Sequence, residues 1–245
     1  MVLNRALIWF RAFLLALSTL ASCVTPAAAA ETSALTTWAT DRANGTATVV
    51  VLGDSISAVP SPYCTWPNCW PQRVSFEWPV TNLSRSGAMP QDLLPGADCV
   101  VRTCWYTDWG AGVMAQLPGL NPSVVIVALG AVNYGYIGQH PLDYLAAMRA
   151  LSERIRALTP RSTILLVHTN GFRASHGLTW IWIDYGSGLD TYAATQPNMG
   201  YYDGARDLPW ADTDTSGAYA ADKTHPIAPG QIMLAVGIIG RLRWL

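Results

Sequence analysis

Three residues of this chain have the types and placement for nucleophilic chemistry: Ser55, Asp222 and His225. Ser55 closes the turn Gly53-Asp54-Ser55, which follows directly on Ala47-Thr48-Val49-Val50-Val51-Leu52. A run of β-branched and aliphatic residues ended by glycine reads as a buried parallel strand, and open α/β sheets keep their chemistry at the carboxyl ends of such strands. A serine hydroxyl becomes a good nucleophile when a base takes its proton and an acceptor fixes that base's tautomer. Asp222-Lys223-Thr224-His225-Pro226 offers both groups, since an aspartate three residues ahead of a histidine can orient the imidazole within one turn. Singly, each motif also has a bland reading: Gly, Asp and Ser are common turn residues, and a polar stretch before a helix is often only surface. It is their joint occurrence that favours catalysis. His140, His168 and His176 are rival bases, and His168 ends a strand, but none has an aspartate at this spacing.

The elements that must position these residues follow from hydrophobic pattern. Pro60, Pro62 and Pro67 force an irregular insertion after Ser55. A short helix is predicted from Pro71, a short strand at Val80-Thr81-Asn82-Leu83, and another short helix from Gln91 to Leu94. Gly96 to Trp109 reads as a loop. Ser123 to Gly130 is the clearest buried strand, with a second at Ser162 to Thr169. Between them Leu145, Met148, Leu151, Ile155 and Leu158 recur at helical spacing opposite Arg149, Glu153, Arg154 and Arg156, an amphipathic helix stopped by Pro160. Residues 171–221 lack clear periodicity, with a weak strand signal between Gly200 and Leu208. Ile232, Val236, Ile239 and Leu242 mark a closing helix from Pro229. Strands alternating with helices imply a parallel sheet with right-handed crossovers in one domain.

The N-terminus reads as an export signal over residues 1–30: Arg5 and Arg11, an apolar stretch from Phe13 to Leu20, and Ala28-Ala29-Ala30 before Glu31. Cleavage after Ala30 is the favoured outcome. Leu20-Ala21-Ser22-Cys23 also resembles a lipobox, in which Cys23 would be lipidated, and a retained anchor is the third reading; the chain would meet a membrane only in the last two cases. Residues 31–46 read as a polar lead-in, and 47–245 as the domain. Its about 215 residues, lead-in included, suffice for a substantial core. With 15 basic and 16 acidic residues the formal net charge is −1, and losing the leader arginines makes it more negative. That balance leaves no footprint for nucleic acid. Cys64, Cys69, Cys99 and Cys104 form an even set in an exported chain, which argues for two disulfides. Both pairs have the form C-x4-C, so local closure is expected, with cross-links between the two loops as the alternative. Zinc is disfavoured because no histidine stands near either pair.

The motifs together resemble the SGNH hydrolases, the GDSL-type esterase family, over nearly the whole chain beyond Thr48. The resemblance rests on Gly53-Asp54-Ser55-Ile56-Ser57, on Asn82-Leu83-Ser84-Arg85-Ser86-Gly87 ahead of Gln91-Asp92-Leu93-Leu94, and on Asp222-Lys223-Thr224-His225-Pro226. The third block departs from the family's Gly-x-Asn-Asp: here Gly130-Ala131-Val132-Asn133-Tyr134 puts the asparagine one place later, and Tyr134 replaces the aspartate. The resemblance implies a flavodoxin-like three-layer α/β/α sandwich with a mostly parallel central sheet. It implies Ser55 as nucleophile, His225 as base and Asp222 as its orienting acid. The oxyanion would be held by the backbone N–H groups of Ser55 and Gly87 and the side-chain amide of Asn133. No metal and no cofactor is implied. Asp54 would brace its turn.

Three functions are compatible with this reading. The first is an exported carboxylic ester hydrolase acting on short acyl groups, with O-acetylated glycans among its substrates. The second is a glycan O-acyltransferase using the same three residues. The third, motivated only by the irregular third block, is a non-catalytic glycan-binding module on the same scaffold. Trp66, Trp70, Trp105 and Trp109 stand near the cysteines, in loops that follow the Ser55 and Gly87 blocks, and either border the cleft as sugar-stacking faces or pack loops that lack a core of their own. Trp180, Trp182 and Trp210 would supply the rest of a pocket. The oligomeric state leaves no mark in the sequence.

Overall fold

A computed structural model describes residues 37–94, 106–130, 140–169, 179–211 and 213–245. Five strands form one sheet: β1 (Val49–Gly53), β2 (Val80–Asn82), β3 (Val124–Ala128), β4 (Thr163–His168) and β5 (Met199–Asp203). Every neighbouring pair is parallel, and the spatial order is β2-β1-β3-β4-β5. All residues of β1, β3 and β4 are buried. Those are the three strands whose unbroken aliphatic runs made them legible, because a strand covered on both faces needs no polar alternation. At the edges β2 is half-buried and β5 alternates.

After a helical stretch at residues 37–43, the helices of the described residues are α1 (Trp70–Val74), α2 (Thr107–Leu120), α3 (Pro141–Leu158), α4 (Thr179–Ala194), α5 (Gly204–Asp207) and α6 (Ala228–Trp244), with a 3-10 turn at Pro90–Leu93. α1 packs against α6, while α3 packs against both α2 and α4. The result is a three-layer α/β/α sandwich with the flavodoxin-like strand order. In that order the chain leaves β1 toward β2 on one side and later returns to β3 on the other, so a crevice opens between the carboxyl ends of β1 and β3. Ser55 follows β1 and Gly130 follows β3, which puts both residues at this crevice.

Several elements differ from expectation. Residue 107 begins α2, so the expected loop ends before Trp109; α2 carries Gly110, Gly112, Pro118 and Gly119, which hide its helical period. α4 occupies the stretch that lacked periodicity. The strand signal at Gly200 to Leu208 resolves into β5 and the helical turn α5. Residues 37–43 are helical where an unpatterned lead-in was expected. There Trp38 is wholly buried, tilted against Trp78 and donating its indole N–H to the Leu242 carbonyl at 3.0 Å. Trp70, for which a place at the cleft and a packing role were both open, is a core residue with no exposed surface. The leader with Cys23, the pair Cys99 and Cys104, Trp105, Asn133 and His176 lie outside the described residues, as do the side chains of Trp180 and Trp182.

Candidate active site

The turn after β1 is tight: a Cβ at Gly53 would lie 2.4 Å from Ser57 Cβ, so glycine is required there. Asp54, 2 % exposed, accepts from the Ile56 N–H at 3.0 Å within its own turn and from the Gly130 N–H at 3.2 Å across the crevice. It therefore braces the turn that carries Ser55, and also ties that turn to Gly130 at the end of β3. The second block is tied in by Asn82, whose side-chain amide donates to the Ser57 carbonyl at 2.8 Å while its oxygen accepts from the Ser84 N–H. Gly87 has φ +79°, a conformation that favours glycine. Buried Asp92 holds this region by accepting from the N–H groups of Met89 and Tyr106.

On the far side, residues 218–227 form a closed loop. Ala220 N–H donates to the His225 carbonyl, Ile227 N–H to that of Ala218, and Lys223 sits at φ +54°. The Asp222 carboxylate makes three contacts inside this loop. Oδ1 accepts from the backbone N–H groups of Thr224 (2.9 Å) and His225 (3.0 Å), and Oδ2 lies 2.8 Å from His225 Nδ1. The other ring nitrogen, Nε2, lies 2.8 Å from Ser55 Oγ. An acid, an imidazole and a hydroxyl thus form one continuous hydrogen-bonded chain at the carboxyl edge of the sheet. Burial works to raise the Asp222 pKa, but the N–H groups of His225 and Thr224 and the imidazole outweigh it and hold the carboxyl below the usual range.

The two rival histidines among the described residues, His140 and His168, go elsewhere. His140 caps α3, its Nδ1 accepting from the Leu142 N–H. His168 is buried at the end of β4, 3.4 Å from the Asp203 carboxylate, in a cavity of about 530 Å³ that Tyr201, Arg206 and Trp210 also line. Among the described residues no group of three or more His, Cys, Asp and Glu side chains is arranged to hold a metal ion.

Gln231 went unnoticed in the sequence. It is 1 % exposed, and its amide nitrogen donates to the carbonyls of Ile56 and Pro226, at 3.1 and 3.2 Å, while its oxygen accepts from the Trp70 N–H at 3.0 Å. One side chain thus fixes the turn carrying Ser55, the loop carrying His225 and the start of α1. A signal was present: Gln231, Leu234, Ala235, Ile238 and Leu242 form the buried stripe of α6, so a polar residue lies on a face that should be apolar.

Burial pushes the Asp54 carboxyl up to about 6 from 3.8, against the N–H donors of Ile56 and Gly130 and the pull of His225. Because the folded value exceeds the unfolded one, the native state binds the extra proton, and the Asp54 contribution to stability declines as pH rises through 4 to 6. A shift of this size corresponds to about 3 kcal/mol. The unfolding free energy of the wild type relative to Asp54→Asn is therefore expected to fall by about that amount between pH 4 and pH 7. Denaturant titrations at the two pH values measure it; a constant difference would mean that Asp54 does not titrate in this window.

No protein-family model matches the chain, and no curated protein matches it in sequence. Solved structures do match in shape. A member of the lipolytic G-D-S-L family from Veillonella parvula superposes with a TM-score of 0.60 at 16% identity, over 81% of this chain and 99% of that one. A psychrotrophic esterase from Pseudoalteromonas sp. gives 0.57 at 17% identity, covering 80% and 97%. An acetyl-xylooligosaccharide esterase from Geobacillus Stearmophilus gives 0.56 at 19% identity, covering 80% and 94%. The sheet order and crevice define an open flavodoxin-like α/β protein. Within that class, the chain has the SGNH hydrolase fold.

Proposed function

We propose that the protein is an exported serine hydrolase of carboxylic esters, working through an acyl-enzyme on short acyl groups, with O-acetylated glycans as its natural substrate class. The observation that carries this reading is the chain Asp222–His225–Ser55, with 2.8 Å at each side-chain link. In the reaction, His225 Nε2 takes the Ser55 proton as Oγ attacks the ester carbonyl, and Asp222 steadies the imidazolium that forms. The negative charge on the former carbonyl oxygen is met by the backbone N–H groups of Ser55 and Gly87 and by the Asn133 amide. Collapse of the tetrahedral species expels the alcohol, which takes its proton from His225. Water, deprotonated by the same imidazole, then hydrolyses the acyl-Ser55 ester.

Trp66 supports the glycan part. It is 71 % exposed on the loop closed by the Cys64–Cys69 disulfide, and an exposed aromatic face of that kind suits the apolar face of a sugar ring. The Geobacillus enzyme of similar fold is itself an acetyl-xylooligosaccharide esterase. Export rests on the leader sequence and on this disulfide; among the described residues no helix is long and apolar enough to cross a membrane.

The test is a panel of p-nitrophenyl esters from acetyl to octanoyl, together with acetate release from O-acetylated xylan, using the purified protein. Turnover is expected on the acetyl and propionyl esters, falling with chain length, and Trp66→Ala is expected to raise KM for the glycan more than for p-nitrophenyl acetate. Inactivity across the panel would overturn the hydrolase reading. Transfer of acetyl to an added sugar outrunning its release to water would make the protein an acyltransferase.

A further inference from the structure

The imidazole of His225 has two faces as well as two nitrogens. One face is covered by Tyr63, with the ring centroids 3.7 Å apart and the planes within 4° of parallel. So close a parallel stack is tighter than the roughly 4.5–7 Å centroid separations of the offset and edge-on packing that two electron-rich rings prefer. It becomes favourable when one ring is electron-poor, as the imidazolium is, because the negative face of the phenol then meets positive charge. The Tyr63–His225 geometry therefore suits the protonated state that His225 reaches during each proton transfer. We propose, on the hydrolase reading given above, that Tyr63 is a positioning residue for the reaction: it holds the plane of His225 and stabilises its imidazolium across the ring face.

The segment bearing Tyr63 is built to keep that ring still. An antiparallel bridge joins Ser61 to Cys64 around it, and the Tyr63 N–H donates to Ser61 Oγ. The next residue is tied by the Cys64–Cys69 disulfide, and Arg73 donates to the Asn68 side chain at 2.9 Å. At the far end Trp70 N–H donates to Gln231, the same buried amide that donates to the carbonyl of Pro226, the residue after His225. Both rings of the stack are thus referenced to one side chain. Among the described residues, the other titratable groups facing the imidazole are Asp222 on its own loop and Asp54 in the turn after β1. Both are carboxylates, and an aromatic face adds to their field without competing for either ring nitrogen. Stabilisation of the imidazolium counts toward rate because that charge is present in the transition state and absent in the resting base.

The experiment compares the full protein with Tyr63→Leu, Tyr63→Phe and the double variant Cys64→Ser/Cys69→Ser. In Tyr63→Leu, kcat for p-nitrophenyl acetate is expected to fall roughly 5- to 30-fold, the range lost with a desolvated cation–π contact, at little changed KM. The acid limb of its kcat/KM profile is expected to move to lower pH, since the protonated ring has lost its support. Tyr63→Phe, which keeps the ring face, is expected to stay within about twofold of wild type in kcat and to keep the wild-type limb. The double variant, which frees the loop, is expected to move the limb in the same direction as Tyr63→Leu. An unmoved limb in both Tyr63→Leu and the double variant, or a Phe variant as impaired as Leu, overturns the proposal. Proton NMR of the His225 ring gives a readout that does not depend on activity. The ring current of Tyr63 shifts the carbon-bound ring protons upfield, and Tyr63→Leu is expected to abolish that shift and lower the midpoint of their titration. Should wild type hydrolyse no ester, the hydrolase reading fails, while an unchanged NMR titration in Tyr63→Leu is what sinks the role of the stack.

Discussion

Replacing Ser55 by alanine is expected to lower kcat/KM for p-nitrophenyl acetate on the order of 10⁴- to 10⁶-fold, the loss typical of removing the nucleophile from a serine-histidine pair. The change deletes one oxygen from a half-buried side chain that meets His225 Nε2 at 2.8 Å. Asp54, Asn82 and Gln231 hold the turn through Ile56, Ser57 and Gly130 without using the Ser55 hydroxyl. The variant should accordingly melt within a few degrees of wild type, so that lost activity reports on chemistry. A burst of p-nitrophenol at high enzyme concentration separates acylation from turnover, and it should vanish in Ser55→Ala. A variant that retained activity within about tenfold of wild type would show that attack comes from elsewhere, because residual catalysis from binding and oxyanion donors alone lies far lower.

What the sequence disclosed and what it hid divide along physical lines. β1, β3 and β4 were legible because a strand buried on both faces must be apolar at every position, and Val49–Gly53, Val124–Ala128 and Thr163–His168 nearly are. α3 was legible because it buries one stripe, Tyr144, Ala147, Met148, Leu151 and Ile155, beneath a charged surface. α2 and α4 gave no such contrast: each has glycines within it, and the buried set of α2 is only Gly110, Val113, Met114 and Leu117. The helical stretch at residues 37–43 left no pattern because the burial of Trp38 is supplied by Trp78 and Leu242, far away in the chain. The same division runs through the site. Ser55, Asp222 and His225 announce themselves through local spacing, since the Asp222–His225 contact closes within one turn. Tyr63 and Gln231 act across segments, and spacing along the chain carries no record of a stack or of one amide that donates to two carbonyls, those of Ile56 and Pro226, far apart in the chain. Asn133 lies in the block that departs from the family pattern and outside the described residues, so its part in the oxyanion site rests on the resemblance.

Asp222→Asn is expected to lower kcat on the order of 10⁴-fold while leaving most of the fold's stability in place. The carboxylate does two separable jobs. Through Oδ1 it accepts from the Thr224 and His225 backbone N–H groups and shapes the loop; through Oδ2 it meets His225 Nδ1. An asparagine oxygen can keep the first job, which is why stability should fall by only about 1–2 kcal/mol, the scale of losing a charge-assisted bond. The second job inverts. The asparagine amide is a donor, so it stabilises the tautomer whose lone pair sits on Nδ1 and whose proton sits on Nε2. That proton then points at Ser55 Oγ, and the base has no lone pair with which to accept from the serine. The depressed pKa of Asp222 sets the pH range of the comparison. A carboxyl whose folded value is lowered contributes stability above its unfolded value and loses it as pH falls through the folded one. At neutral pH the wild-type group is therefore fully ionised, and the whole contrast between carboxylate and amide is on display. Steady-state kinetics at pH 7 with a thermal melt on the same sample measure both quantities. A tenfold loss or less would mean that another acceptor fixes the imidazole. A collapse of the melt would mean instead that the carboxylate's contacts with Thr224 and His225 are what the loop cannot do without.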